Sequence, residues 1–194
     1  MSQMFQNVCQ RQNSVDPGLL NSVLEIAVQI ACEGREGRRI GTLFSIGDTE
    51  AVLSQSRPLI LDPLAGHPRH IRNIESPDMR ETVKELAQLD GGFVVSEDGT
   101  VVSAARLFEA DTQDVAVPLG LGTRHIAAAG ISLQTRALAV VVSESSLVRV
   151  FENGEIIAEI YPELWLFRLH QSQLKGLRVE QQDDENMTVV SRDH

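Results

Sequence analysis

Three short polar clusters hold the residues of this chain best suited to chemistry. Asp90-Gly91-Gly92 offers a carboxylate followed by two residues that let another backbone or a ligand approach closely. Gly122-Thr123-Arg124-His125 combines a glycine, a hydroxyl, a guanidinium and an imidazole just ahead of the alanine-rich stretch 126–133. Alanine favours helix, so this cluster is expected at a helix N-terminus, where unpaired N–H groups and the positive dipole end suit a polyphosphate. Ser143-Glu144-Ser145-Ser146 follows the apolar run Ala137 to Val142, which reads as a central strand. In open α/β sheets, ligands bind beyond the carboxyl ends of strands. Each cluster has a plainer reading: Asp90 as a turn residue, Thr123 as a helix cap, Arg124 as a solvated charge. Three of them in one crevice favour a binding site.

The elements that must position these clusters are visible as periodicity. Leu19, Leu20, Val23, Leu24, Ala27, Ile30 and Ala31 recur at spacings of three and four, an amphipathic helix opened by Asp16-Pro17 and closed by the glycines and charges of residues 33–39. Ile40 to Ile46, closed by Gly47-Asp48, reads as a buried strand, and residues 54–73, broken by Pro58, Pro63, Gly66 and Pro68, as strand then loop. Ser76-Pro77-Asp78 opens a second helix with Met79, Val83, Leu86 and Leu89 along one stripe. Phe93 to Val95 and Thr100 to Leu107 flank Glu97-Asp98-Gly99, and Leu147 to Phe151 and Glu155 to Ile160 flank Glu152-Asn153-Gly154; both predict hairpins. A short helix after Pro162 carries Leu164, Trp165, Phe167 and Leu169, with Trp165 as its anchor, and residues 181–194 are expected to fray. The expected organisation is a polar segment 1–16, one mixed α/β domain over 17–170 and a tail over 171–194.

At 194 residues, with 42% hydrophobic and 23% charged residues, the chain can bury a full core without disulfides or metals. A net charge of −10 and a pI near 4.9 argue against nucleic acid as partner. Cys9 and Cys32 have neither metal nor disulfide spacing, and Cys32 is expected to be buried and inert on the apolar side of its helix. His67 and His70 lack a third ligand and are expected on the surface. No segment approaches the roughly 18 apolar residues of a membrane span or the core of a signal peptide, so a cytoplasmic protein with no membrane partner is expected.

Together with the Glu33-Gly34-Arg35-Glu36-Gly37 turn and the strand ending Ile46-Gly47-Asp48, the three clusters resemble the diadenylate cyclase family, its archaeal-type branch in particular, over about Leu20 to Ile160. Asp90-Gly91-Gly92 resembles the family's aspartate-glycine-alanine motif, with Gly92 in place of alanine, an exchange expected to be sterically mild. Gly122-Thr123-Arg124-His125-Ile126 resembles its glycine-threonine (or serine)-arginine-histidine-arginine motif, with Ile126 in place of the second arginine. Val141-Val142-Ser143-Glu144-Ser145 also resembles the family.

The resemblance implies an α/β domain with a central mixed β-sheet flanked by helices, the DAC-domain fold, and condensation of two ATP into the second messenger cyclic di-AMP and two pyrophosphates. By motif match, Asp90, Gly91, Arg124 and His125 are catalytic. Gly91, Leu107, Phe108, Gly122, Thr123, Arg124, His125, Ser143 and Glu144 bind ATP, with Leu107 and Phe108 beside the adenine. Asp90 and Glu144 hold a divalent cation, Mn²⁺ or Mg²⁺, both hard ions that suit carboxylates and phosphates. Each ATP must attack the other, so the resemblance also implies a face-to-face homodimer or higher homo-oligomer. The charge missing at Ile126 keeps open an alternative, a nucleotide-binding sensor of the same fold without turnover; an interaction domain with no nucleotide site is a further one.

Overall fold

Two wholly apolar or small-residue strands, β1 (Thr42–Ile46) and β5 (Leu138–Val142), are buried along their full length and pair antiparallel at the centre of the sheet. The computed structural model describes residues 8, 15–59, 61–111, 115, 118 and 120–162, and the backbone of 177–182 and 187–192. The other strands are β2 (Ser56–Pro58), β3 (Gly92–Val95), β4 (Val101–Phe108), β6 (Val148–Glu152), β7 (Glu155–Tyr161), β8 (Leu177–Gln182) and β9 (Met187–Arg192). Among the described residues these nine strands form one sheet in the order β2-β4-β3-β1-β5-β6-β7-β9-β8. β1 and β3 run parallel and every other pair antiparallel, so the sheet is mixed, as expected.

Period-two alternation sends successive residues of the central strands into two cores. Phe44, Ile46, Leu138, Val140 and Val142 pack with α1 (Pro17–Glu33) and with Met79 and Val83 of α3 (Pro77–Leu86). Leu43, Ala139 and Val141 pack on the other face with Ala128, Ala129 and Ile131 of α4 (Thr123–Gln134), and with Val52 of the short helix α2 (Thr49–Ser54). Phe44 and Phe93 stack across the parallel pair, ring centroids 4.9 Å apart. The fold is thus three layers, with helices on both faces of the sheet.

Local signals account for most boundaries. The Asp16 carboxylate accepts from the Leu19 amide at 3.0 Å and caps α1, as its position predicts. The helix ends at Gly34, whose positive φ of 57° favours glycine, and Arg35 and Arg38 then exchange backbone hydrogen bonds of 2.9 and 2.8 Å across a tight turn. Both predicted hairpins form, with Gly99 and the Asn153-Gly154 pair at positive φ in their turns.

Four expectations differ from the structure. Cys32 is exposed rather than buried, because it lies one position off the stripe that faces the sheet. Leu89 falls beyond the end of α3 and is exposed, so only Met79, Val83 and Leu86 form its inner stripe. Residues 49–54 form α2, which the sequence pattern does not announce; its first turn is held by Glu97, which accepts from the Thr49 amide at 3.1 Å and the Thr49 hydroxyl at 2.8 Å. The end expected to fray contains β8 and β9, which pair with each other and extend the sheet from β7. Cys9 and the helix expected around Trp165 lie outside the described residues.

Candidate functional site

The helix that presents Thr123, Arg124 and His125 starts without a side-chain cap. Gly122 is its N-cap in an extended conformation, and Thr123 is the first helical residue, so the plainer reading of Thr123 as a cap does not hold. Gly122 carbonyl oxygen accepts from the His125 amide at 3.0 Å and the Ile126 amide at 3.4 Å, which leaves the amides of Thr123 and Arg124 without intrahelical acceptors. A cavity of about 380 Å³ opens at this helix end, lined by Gly120 to His125, by Val141 to Ser145 at the end of β5, and by Arg149 of β6. It is a polar groove with two guanidinium groups and a helix N-terminus along its walls.

Arg124 reaches across the groove to Glu144, Nη1 to Oε1 3.1 Å. Space for this side chain comes from Gly41: a methyl carbon there would sit 2.6 Å from Arg124 Nη1. Ser143 turns the chain at the groove's edge, with its hydroxyl 2.7 Å from that of Ser145 and accepting from the Ser145 amide at 3.1 Å.

His125 is 6% exposed and forms part of the groove wall. Arg149 Nη1 lies 3.1 Å from His125 Nε2, and Arg149 Nε donates to Glu159 Oε1 at 2.6 Å. The other Glu159 oxygen accepts from the Tyr161 hydroxyl at 2.9 Å. Burial, then the Arg149 and Arg124 cations, pull the His125 imidazole down to about 4 from its ordinary value of 6.5, against smaller upward effects of Glu159 and the Gly122 carbonyl. At neutral pH the ring is uncharged.

A second recess of about 390 Å³ adjoins the groove, and Thr123 and Arg124 line both. Leu43, Leu59, Leu107, Phe108 and Ala127 make it mainly apolar; Asp90, Gly91 and Arg106 close one side. Gly91 has φ +94°, and a methyl carbon on it would meet the Arg106 carbonyl oxygen at 2.6 Å, so only glycine fits this helix-to-strand junction. Gly92 is as tightly placed: a methyl carbon there would sit 2.5 Å from the Leu43 carbonyl oxygen and 2.9 Å from the Phe108 ring. The exchange of alanine for Gly92, expected to be sterically mild, is therefore not mild in this backbone.

Every residue singled out for the site lines one of the two cavities. Asp90, Gly91, Leu107 and Phe108 belong to the recess, Gly122, His125, Ser143 and Glu144 to the groove, and Thr123 and Arg124 to both. Ile126 lines neither and is 37% exposed. Sequence reasoning missed Gly41, Leu43, Leu59, Arg106, Ala127 and Arg149. A signal existed for Arg149, a charge in the middle of the apolar strand Val148-Arg149-Val150-Phe151, where burial demands a partner. His67 and His70 are exposed, as expected.

For a divalent cation the donors are sparse. Asp90 is exposed and its carboxylate has no hydrogen-bond or ion-pair partner among the described residues. Glu144 is exposed and shares its charge with Arg124. Among the described residues no group of three or more His, Cys, Asp or Glu could enclose a metal. This donor set fits a hard ion carried in with phosphate oxygens and touched by one or two carboxylates, the usual manner of Mg²⁺ in nucleotide sites. It does not fit a resident metal cage. Among the described residues no helix is long and apolar enough to cross a membrane.

The family described as DisA bacterial checkpoint controller nucleotide-binding, DAC, matches residues 29–156. A diadenylate cyclase of Methanocaldococcus jannaschii is 44% identical over 161 residues, 82% of this chain and 50% of that protein. A diadenylate cyclase of Haloferax volcanii is 40% identical over 151 residues, 77% of this chain and 55% of that protein. The chain spans about half the length of these curated relatives. The crystal structure of a hypothetical membrane spanning protein from Bacillus cereus shares the fold, with a TM-score of 0.52 at 20% identity over 78% of this chain and 67% of that one. With the family match covering well over half of its length and centred on the two cavities, the chain belongs to the diadenylate cyclase (DAC-domain) family.

Proposed function

We propose that this chain is a diadenylate cyclase, which joins two ATP into cyclic di-AMP with release of two pyrophosphates. The observation that carries this reading is the pair of joined cavities, one polar and one apolar, hinged on Thr123 and Arg124. A nucleotide has the same division. Its base suits Leu107, Phe108 and the other apolar residues of the recess, and its phosphates suit the free amides at the start of α4, Arg124, and the Ser143 edge of the groove.

The reaction is phosphoryl transfer. The 3′-hydroxyl oxygen of one ATP forms a bond to the α-phosphorus of the other as the bond to pyrophosphate breaks, and positioning and charge neutralisation supply most of the catalysis. Asp90, exposed and unpartnered, accepts the hydroxyl proton or helps hold the cation. Mn²⁺ or Mg²⁺ would be held by Asp90, with Glu144 as the second candidate, and when bound would neutralise phosphate charge. Arg124 exchanges Glu144 for phosphate oxygens when nucleotide enters. His125, neutral and walled into the groove, orients rather than neutralises. Two transfers close the ring, so two copies of the site face one another across a two-fold axis in a homodimer or larger homo-oligomer.

The test is incubation with ATP and Mn²⁺, then mass detection of cyclic di-AMP and assay of pyrophosphate. Formation of both products supports the reading. ATP-induced stabilisation without pyrophosphate release across Mn²⁺, Mg²⁺ and Co²⁺ would replace it with a nucleotide-binding sensor.

A further inference from the structure

Behind the groove lies a buried polar chain that the proposed reaction does not use directly. It begins at Tyr161 and Glu159 on β7, crosses to Arg149 on β6 and ends at His125 on α4. Arg149 and Glu159 are directly opposite one another in the β6–β7 ladder, and their side chains are 11% and 13% exposed. An exposed pair of this kind would contribute little. A buried one must have every partner in place, because losing any one leaves a charge without compensation. Tyr161 supplies that last partner to the carboxylate, and burial and Glu159 push its own hydroxyl well above the ordinary tyrosine range, so it stays a donor.

The chain determines where the imidazole proton sits. A guanidinium has donors and no acceptor, so His125 Nε2, 3.1 Å from Arg149 Nη1, must be the lone-pair nitrogen and Nδ1 must carry the hydrogen. That Nδ1 is buried and has no hydrogen-bond partner among the described residues. The charged groups facing the ring are Arg149 from β6, Glu159 from β7 and Arg124 from α4 itself; β1 and β5 contribute no ionisable side chain, and Phe151 of β6 flanks the ring at 6.2 Å. Two of the three charges are positive and one of those touches the ring.

We propose that Arg149, braced by Glu159 and Tyr161, is a positioning residue that holds His125 as a neutral imidazole with its proton on the buried Nδ1, fixing the ring behind the phosphate groove. On this assignment Arg124 supplies the cation that meets phosphate, Arg149 stays paired with Glu159, and His125 is neither a phosphate-binding cation nor a general acid at neutral pH. The structural part stands by itself. The kinetic consequence rests on the reading of the groove as a triphosphate site.

Long-range proton–nitrogen correlation spectra of histidine-labelled, ligand-free protein test it, with the His125 signals assigned by their loss in His125→Gln. The expected result is a protonated Nδ1 and bare Nε2 at pH 7, with no titration of His125 between pH 8 and 5. In Arg149→Met the ring is expected to lose this fixed tautomer and to titrate at least one pH unit higher, and Arg149→Lys, which keeps a donor and a charge, restores the tautomer in part. Proton on Nε2 in the parent protein, titration of His125 near 6.5, or an unchanged tautomer in Arg149→Met would each overturn the assignment. Should Arg149→Met fail to fold, the parent spectra and Tyr161→Phe, expected to raise the His125 titration slightly, decide the matter. With ATP, Arg149→Met should lower kcat about tenfold and move KM less than threefold. Absence of cyclase activity in the parent protein would remove only that last arm and leave the spectra decisive.

Discussion

The groove and the recess share two residues and little else. The groove is built from backbone amides and charges that are already matched before any ligand arrives: Arg124 by Glu144, Arg149 by Glu159. The recess is built from apolar side chains around an unmatched carboxylate, Asp90. A matched charge holds its geometry and must trade partners to bind, whereas an unmatched one at a rim is ready to take a proton or a cation. The difference separates residues whose loss disturbs the fold from residues whose loss disturbs only chemistry.

Variants on the two sides should therefore fail in different ways. Asp90→Asn should abolish cyclic di-AMP formation, by about a thousandfold, while leaving Tm and ATP binding near those of the parent, because an amide is neither a base nor a useful metal ligand. Near-normal turnover in that variant would make Asp90 a turn residue. On the groove side, Glu159→Gln leaves the Arg149 cation buried without its counter-charge, at about 3 kcal/mol of stability, read as a fall in denaturation midpoint. A variant as stable as the parent would mean that water from the groove already screens Arg149.

Smaller effects sharpen the contrast. Arg124 is about a third exposed and its Glu144 partner two thirds exposed, so Arg124→Ala should cost little stability but weaken ATP binding about tenfold, or roughly 1.4 kcal/mol, in a titration followed by calorimetry. An unchanged Kd would place Arg124 outside the phosphate path. The last effect is that of pH on His125. Its folded value lies below its unfolded one, so the unfolded chain binds more protons as pH falls from about 6.5 towards about 4, and stability is lost across that window. The loss should be present in the parent protein and absent in His125→Gln, measured by denaturant midpoints at a series of pH values.

The features legible in the sequence were those whose cause lies within a few residues. Asp16-Pro17 starts α1, Asn153-Gly154 turns the second hairpin, and the apolar run 138–142 is a central strand because both its faces are covered. The clusters at Asp90, Gly122 and Ser143 could be read as one site because each borders a regular element, and the fold brings the start of β3 and the end of β5, which run in opposite directions, to the same end of the strands. What stayed hidden depends on distant partners. α2 is held by Glu97, 48 residues from Thr49, and Arg149 has a meaning only once β7 brings Glu159 opposite it and α4 lays His125 across it. Cys32 was misread for a simpler reason: at the last turn of α1 a single residue of rotation separates the sheet from water.

The closeness of Gly92 to Leu43 limits what this position can accept. Where the motif it resembles has alanine, this chain has the Leu43 carbonyl of the parallel β1–β3 pair and the Phe108 ring in the space a methyl group would occupy. Restoring the alanine would now push a carbonyl and an aromatic ring, an overpacking of about 1–3 kcal/mol, so a substitution that returns the chain to the common motif is expected to harm it. The nearer contact is with backbone, so no side-chain substitution at Leu43 relieves it: room for the methyl group requires β1 to shift against β3 as well as the Phe108 ring to move.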